Sequence, residues 1–151
     1  MSERLHHYAD VHLVLQLPEH TTRIDVAAYL RQLCLAIARS KLDLNNIELV
    51  LSTRSLSMHS DLCGRFGMIL YELITNSARH TFCGMDGEIW VELWPLGPSV
   101  ECRVSDNGLG PQTVQQGRGP SIVRELVKSL DGQFEQSFGL QGSTAIIMFP
   151  M

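Results

Sequence analysis

The stretch Glu72–His80, "ELITNSARH", places four different polar groups within one short segment that otherwise has the pattern of a buried helix. Glu72, Asn76 and His80 follow one another at i, i+4 and i+8, with Arg79 beside them, so a helix carries these side chains along one edge. The leucine and isoleucine residues between them fall on the opposite side and suit a buried face. The stretch therefore predicts a helix with a buried apolar face and a polar edge, and the prediction of the fold starts from it.

Two interpretations of this polar edge stand side by side. A solvated helix face needs no further function. In a binding site, Asn76 supplies a carbonyl oxygen to Mg²⁺, which prefers hard oxygen ligands shared with phosphates. Arg79 and His80 then donate hydrogen bonds to phosphate oxygens. The helix alone does not distinguish the two.

A second stretch, "SDNGLG" at 105–110, follows a predicted strand. Asp106 can accept a hydrogen bond from an exocyclic amine such as adenine N6. Gly108 and Gly110 lack a Cβ, so their backbone can approach a flat ring closely. An ordinary turn is the alternative for this segment.

Two further stretches carry glycine at the start of a regular element. In "QGRGPSIV" at 116–123, glycines lead into a helix whose first-turn N–H groups are suited to nucleotide phosphates. In "QGSTAIIMFP" at 141–150, Gly142 permits close approach, and Thr144 can bridge to a ligand or to Asp106.

The composition indicates one cytoplasmic globular domain. The chain has 151 residues, of which 44% are hydrophobic and 19% charged, and a net charge of −4 that gives no indication of nucleic-acid binding. No apolar run approaches the about 20 residues of a membrane span, and "MSERLHHYAD" lacks the apolar core of a signal peptide. Cys34, Cys63, Cys83 and Cys102 form no CxxC pair and are predicted to be reduced, mostly buried thiols.

The predicted elements give an α+β fold. We expect a two-layer α/β sandwich, in which a mixed, mostly antiparallel sheet is covered on one face by about three helices. Residues 1–17 fit either a strand or a helical seam. The predicted helices run from an Asp25 cap to about Ser40, from a Ser60 cap over 61–81, and over 119–130; the predicted strands are 46–52, 87–94, 99–105 and a closing hairpin from 132 onward.

In this order and spacing, the four stretches resemble the N box, G1 box, G2 box and terminal glycine–threonine strand of the GHKL ATPases. The resemblance covers roughly residues 60–150 and is greatest to the ATP-binding catalytic domain of bacterial sensor histidine kinases. It implies a Bergerat fold that binds Mg·ATP between a long helix and a lid. It also implies a catalytic domain at 23–151, preceded by a segment 1–22 for which one interpretation is the remnant of a dimerisation helix.

The resemblance assigns a role to each matching residue. Asn76 ligates the metal and Asp106 reads adenine, while Thr144 is placed with the nucleotide-binding residues. Glu72 is a general base, polarises an acceptor histidine, or has a structural role in capping or in holding Arg79; Arg79 and His80 complete the catalytic set. Four glycines shape the base pocket and the phosphate loop, namely Gly108, Gly110, Gly117 and Gly119.

The implied activity is transfer of the γ-phosphate of ATP to a histidine on a separate dimerisation and phosphoacceptor domain, with a response regulator as the next partner. The chain departs from the family pattern in its short lid, Pro111–Gln116, in Pro120 within the G2 box, and in the absence of an F box and an H box. His6 and His7 lack the H-box surroundings. Two other functions stay open: a degenerate GHKL module that binds a partner with weak or no ATP turnover, and a stand-alone serine kinase resembling the anti-sigma factors.

Overall fold

The computed structural model describes residues 23–43, 46–81, 86–108, 119–139 and 142–151, without the side chains of residues 80, 81 and 119–121. The prediction for residues 1–22 and the lid, Pro111–Gln116, lie outside this part of the chain. The elements, in chain order, are β1 Arg23–Asp25, α1 Val26–Ile37, β2 Ile47–Thr53, β3 Ser57–His59, α2 Ser60–Asn76, β4 Gly87–Leu96, β5 Ser99–Asp106, α3 Gly119–Ser129, β6 Gln133–Gly139 and β7 Gly142–Pro150.

Five strands form one sheet in the order β2-β4-β5-β7-β6. β2 pairs parallel with β4, and the other three pairings are antiparallel. The predicted mixed, mostly antiparallel sheet is therefore confirmed. The short strands β1 and β3 form a separate antiparallel pair that was not predicted, because three residues are too few to show an alternating pattern.

The helices cover one face of the sheet, and the core lies between the two layers, as predicted. Alternate residues of the central strands are buried on this face. The ring centres of Phe66 in α2 and Phe149 in β7 lie 5.2 Å apart, and this contact packs the helix against the sheet. The fully buried side chains of this core include Ile89, Val91, Val100, Cys102 and Ile147.

The helix caps differ in one case from the prediction. The side chain of Asp25 accepts a hydrogen bond from the Ala28 N–H and caps α1, as predicted. Ser60 was predicted to cap α2, but the helix begins at Ser60 and its cap is His59, whose Nδ1 accepts from the Asp61 N–H at 3.3 Å. β3 runs directly into the helix, which moves the cap back by one residue.

Two contacts hold α2 against its neighbouring helices. A Cβ on Gly67 would lie on the Tyr29 hydroxyl of α1, so these helices approach as closely as a glycine permits. That hydroxyl is buried without a hydrogen-bond partner among the described residues. On the other side, Arg65 donates to the Ser129 carbonyl at the end of α3 at 3.1 Å. Both contacts fix the amino-terminal half of α2 against its neighbouring helices.

No helix covers the second face of the sheet in the described ranges. Trp90 and Trp94 lie on it half-buried, and the Arg103 guanidinium lies 5.6 Å from the Trp94 ring centre. Apart from Arg103, the charged residues that alternation places on this outer face are all acidic, namely Glu48, Glu88, Glu92, Glu101 and Glu135.

Candidate functional site

Asp106 is the last residue of β5, and its side chain points between the two layers. The alternation of β5 puts Val100, Cys102, Val104 and Asp106 on the helix-covered face. Only 5% of Asp106 is exposed. Buried carboxylates are uncommon, and they need hydrogen-bond partners because burial removes them from water. The strand therefore delivers one acidic group into the interior at its carboxyl end.

Four donors surround the Asp106 carboxylate. Oδ1 accepts from the Gly108 N–H and from the Ser143 N–H, each at 3.2 Å. Oδ2 accepts from the Ser77 hydroxyl at 2.8 Å and from the Ser143 hydroxyl at 2.6 Å. Two carboxylate oxygens offer about four acceptor positions. The described residues thus occupy the whole acceptor capacity of this group.

The start of β7 lies directly against Asp106. Gly142 has a φ of +135°, and a Cβ there would meet the Asp106 carbonyl oxygen. A glycine is required on both grounds, which confirms the close approach predicted for Gly142. The next residue, Ser143, is the cross-strand partner of Asp106 and bonds its carboxylate through backbone and side chain.

The residue after Asp106 ties the loop back to β4. Asn107 Oδ1 accepts from the Glu88 N–H at 2.8 Å, and the Asn107 N–H donates to the Glu88 carbonyl at 3.3 Å. Gly108 follows and is buried. The backbone that leads away from Asp106 is therefore fixed as far as Gly108.

The carboxyl end of α2 faces Asp106. The helix ends at Asn76 and continues as a π-helical turn, Ser77–Thr81, a widened geometry that is often found at functional sites. Through the hydrogen bond from Ser77, this turn joins the end of β5. Asn76 is half-buried, and its Oδ1 accepts from Arg79 Nη2 at 3.1 Å.

The structure brings most of the described site residues to this junction. Asn76 adjoins Ser77, and Gly108 bonds the carboxylate itself. Glu72 is half-buried one turn before Asn76, and Arg79 is exposed. Among the described residues, Arg79 donates to Asn76, and no ion pair joins it to Glu72, which was one interpretation of Glu72.

The remaining predicted residues lie elsewhere or outside the described chain. Thr144 pairs with Ser105, and strand alternation directs its side chain to the outer face; the hydroxyl that reaches Asp106 belongs to Ser143. Gly119 is the first residue of α3. The side chain of His80 and the whole of Gly110 and Gly117 lie outside the described residues.

Sequence reasoning missed two contributing residues, Ser77 and Ser143. Both are small hydroxyl residues next to a predicted site residue, Asn76 and Gly142 respectively. Their hydroxyl groups and their positions indicated possible hydrogen-bond donors at the site. A hydroxyl is recognised as a partner of Asp106 only when the strand register and the end of the helix are known.

The described thiols are separate from this site. Cys34, Cys63 and Cys102 are free and buried, which confirms the prediction for these three; Cys83 lies outside the described residues. Burial raises the pKa of Cys34 and of Cys63 to about 12 and raises that of Cys102 further. Thiols with such pKa values are poor nucleophiles at neutral pH.

The described residues form neither a cluster of metal ligands nor a helix that could span a membrane. No three histidine, cysteine, aspartate or glutamate residues in this part of the chain converge in a way that could hold a metal ion. None of the described helices combines the length and the apolar character needed to cross a bilayer.

The chain is similar in structure to histidine kinases. It superposes on the histidine kinase domain of the Erythrobacter litoralis EL346 blue-light activated histidine kinase with a TM-score of 0.75 and 22% identity, covering 99% of this chain and 73% of that one. In a structure of a longer chain of the same kinase, this chain covers 53% of the residues. The catalytic domain of histidine kinase ThkA gives a TM-score of 0.70 and 20% identity over 85% of this chain and 94% of that domain.

A third neighbour, full-length ShkA in complex with AMPPNP, gives a TM-score of 0.69 and 18% identity, with 98% of this chain and 34% of ShkA covered. No protein-family model and no curated protein sequence matches the chain. At these identities the similarity concerns the fold. It confirms that the chain has the fold of histidine kinase catalytic domains, as the four sequence stretches indicated.

Proposed function

We propose that this chain is an ATP-binding catalytic domain that donates the γ-phosphate of ATP to a histidine on a separate domain. One observation carries the proposal: the Ser77 hydroxyl lies 2.8 Å from Asp106 Oδ2, so a buried carboxylate and the helix end with Asn76 share one site. The fold supports it, because its neighbours are histidine kinases and one of them holds a nucleotide analogue.

The base end of the site fits a purine that carries an amino group. Asp106 is an acceptor in a desolvated setting, where a hydrogen bond from an amine is strong. Gly108 leaves its side of the pocket without a Cβ. We assign base recognition to Asp106, and we retain Gly110 as a wall of the same pocket from the sequence pattern.

The phosphate end fits a magnesium–phosphate group. Asn76 Oδ1 is a hard oxygen at the rim of the helix end, and its present partner, Arg79, is exposed and can turn away. Asn76 would hold Mg²⁺. Arg79 and His80 would donate to phosphate oxygens, and Gly117 and Gly119 would frame them at the start of α3.

Mg·ATP supplies the phosphoryl group, and the cation offsets its negative charge. The residues of the chain bind and orient, since phosphoryl transfer depends mainly on positioning and charge stabilisation. Glu72, one turn before Asn76, is assigned to polarising the incoming histidine. The partners in this proposal are a phosphoacceptor and dimerisation domain and, after it, a response regulator.

A phosphotransfer assay tests the activity. The chain is incubated with labelled ATP, Mg²⁺ and a histidine-bearing helical hairpin, with the same hairpin carrying glutamine in place of the histidine as the control. We expect acid-labile label on the histidine hairpin alone. Acid-stable label on a serine substrate instead indicates an anti-sigma-type kinase and refutes the histidine assignment.

One observation favours a second candidate, a binding module without turnover. All four acceptor positions of Asp106 already have donors within the chain, so the pocket is satisfied without a nucleotide. Calorimetry with ADP and Mg²⁺ separates the candidates. Absence of binding at millimolar ADP excludes the catalytic domain and leaves the module.

A further inference from the structure

The hydrogen bonds of Asp106 create a competition that bears on nucleotide selection. A base amine needs an acceptor, but a carboxylate with about four acceptor positions has none left when four donors already bind it. One of the four must leave before the amine can bind. The structure indicates which one.

Two of the donors are backbone N–H groups, and a third is a hydroxyl on one of the same two residues. The Gly108 N–H belongs to the loop that directly follows Asp106, and the Ser143 N–H belongs to the strand paired with it. The Ser143 hydroxyl, at 2.6 Å, is on the same residue as one of these N–H groups and makes the shortest of the four bonds. Releasing the Gly108 N–H would move the loop, releasing the Ser143 N–H would disturb the β5–β7 pairing, and releasing the Ser143 hydroxyl would give up the shortest bond.

Ser77 differs because it has another acceptor within reach. Its N–H already points at the Ile74 and Leu73 carbonyls, and serine or threonine hydroxyls in helices readily bond carbonyls three or four residues earlier. Thr75 shows this arrangement in the same helix, with its hydroxyl 2.8 Å from the Tyr71 carbonyl. A rotation of the Ser77 side chain can therefore release Oδ2 without any backbone movement.

We propose that Ser77 is a specificity-determining residue that occupies the base-amine position of Asp106 in the nucleotide-free chain. This inference rests on the proposed function. Ser77 lies on the α2 side of the carboxylate, where the proposed cleft opens, so the incoming amine displaces its hydroxyl. This competition weakens the binding of an amino purine. It lowers the affinity for the base and leaves the contacts to the phosphates and the metal unchanged.

Calorimetric titrations without Mg²⁺ test this at the base end alone. The ligands are adenosine, ADP and inosine diphosphate, whose base carries an oxygen in place of the amine. We expect Ser77→Ala to bind adenosine and ADP about tenfold more tightly than the unmodified chain, equivalent to about 1.4 kcal/mol. Inosine diphosphate should bind both chains equally.

Three further variants separate a competing hydroxyl from a structural effect. Ser77→Thr keeps the hydroxyl and should restore the affinity of the unmodified chain. Ser77→Cys, with a weak thiol donor, should gain affinity as Ser77→Ala does. Ser40→Ala is the matched control, because Ser40 also lies in a π-helical turn but bonds its own helix at the Ile37 carbonyl; it should change nothing.

The outcomes distinguish this inference from the proposed function. If the unmodified chain binds ADP and Ser77→Ala binds it equally or more weakly, the inference is wrong and the function stands. An equal gain for inosine diphosphate, or a gain in Ser77→Thr, also overturns it. If neither chain binds adenine nucleotides, the proposed function fails and this inference fails with it.

Discussion

Replacing Asp106 by asparagine reverses the hydrogen-bonding character of the base site while keeping its shape. Oδ1 faces two backbone N–H groups, which can only donate, so the asparagine oxygen must take that place. The amide nitrogen then faces the Ser77 and Ser143 hydroxyls, which can reorient and accept. The fold is retained, but the atom that faces the base becomes a donor.

The size of the effect follows from the bond that is lost. A hydrogen bond to a charged group contributes about 1.5–3 kcal/mol, so ADP should bind about 10- to 150-fold more weakly. In the free chain, four bonds lose their charge assistance but a buried charge also disappears. We expect the free energy of unfolding to fall by about 1–2 kcal/mol, which lowers Tm by about 3–6 °C.

Titration calorimetry with ADP and inosine diphosphate measures this change, with Asp131→Asn as the control. Asp131 lies at the end of α3 with a φ of +56°, a conformation that asparagine tolerates. Inosine diphosphate presents an acceptor to the new donor and should bind Asp106→Asn at least as well as the unmodified chain. Unchanged ADP affinity, or an equal loss for both ligands in a folded variant, refutes the assignment of Asp106.

Three other predictions concern the metal position, the helix packing and the buried thiols. Asn76→Ala should remove the Mg²⁺-dependent part of the ADP affinity and leave the Mg²⁺-independent part, as titrations with and without the metal will show; unchanged Mg²⁺ dependence contradicts the assignment. Gly67→Ala puts a methyl group on the Tyr29 hydroxyl and should cost about 1–3 kcal/mol in urea denaturation. Tyr29→Phe should relieve that cost in a double-mutant cycle, and purely additive effects would disprove the contact. Because burial raises the pKa of Cys34 and Cys63 to about 12, the folded chain keeps protons that the unfolded chain loses above about pH 8.5. The contribution of these thiols to the free energy of unfolding should therefore be largest below that pH and should fall as the pH rises towards 12. The fall should be less steep in Cys34→Ala, and a free energy of unfolding that does not change over this pH range contradicts the prediction.

The long elements could be predicted from the sequence because each has a clear period. The alternation in β4 and β5 and the helical seam of α2 were found with bounds close to those observed. Asp25 was found as a cap because an aspartate before an apolar helical pattern has a local hydrogen-bonding role. Where local chemistry decides the structure, one sequence suffices.

The arrangement of the site needed information that is not local. The predicted helix 61–81 ends as an α-helix at Asn76, and its last turn is π-helical, a distinction that periodicity over five residues does not show. Ser143 and Thr144 differ only in which face of β7 they occupy, and the pairing with β5 decides that. The sequence therefore singled out Asp106 and the end of α2, but it assigned the hydroxyl that bonds Asp106 to the residue next to Ser143.

The face of the sheet that none of the described helices covers has a consequence for the behaviour of the chain at high concentration. Two copies that stacked face to face there would oppose two sets of glutamates, and among the described strand residues only Arg103 on each side would compensate. Like charges in such proximity repel, and this repulsion is screened over about 8 Å at physiological ionic strength. We therefore expect the carboxylates to oppose association of two copies through the half-buried tryptophans, and we expect added salt to weaken this barrier to aggregation.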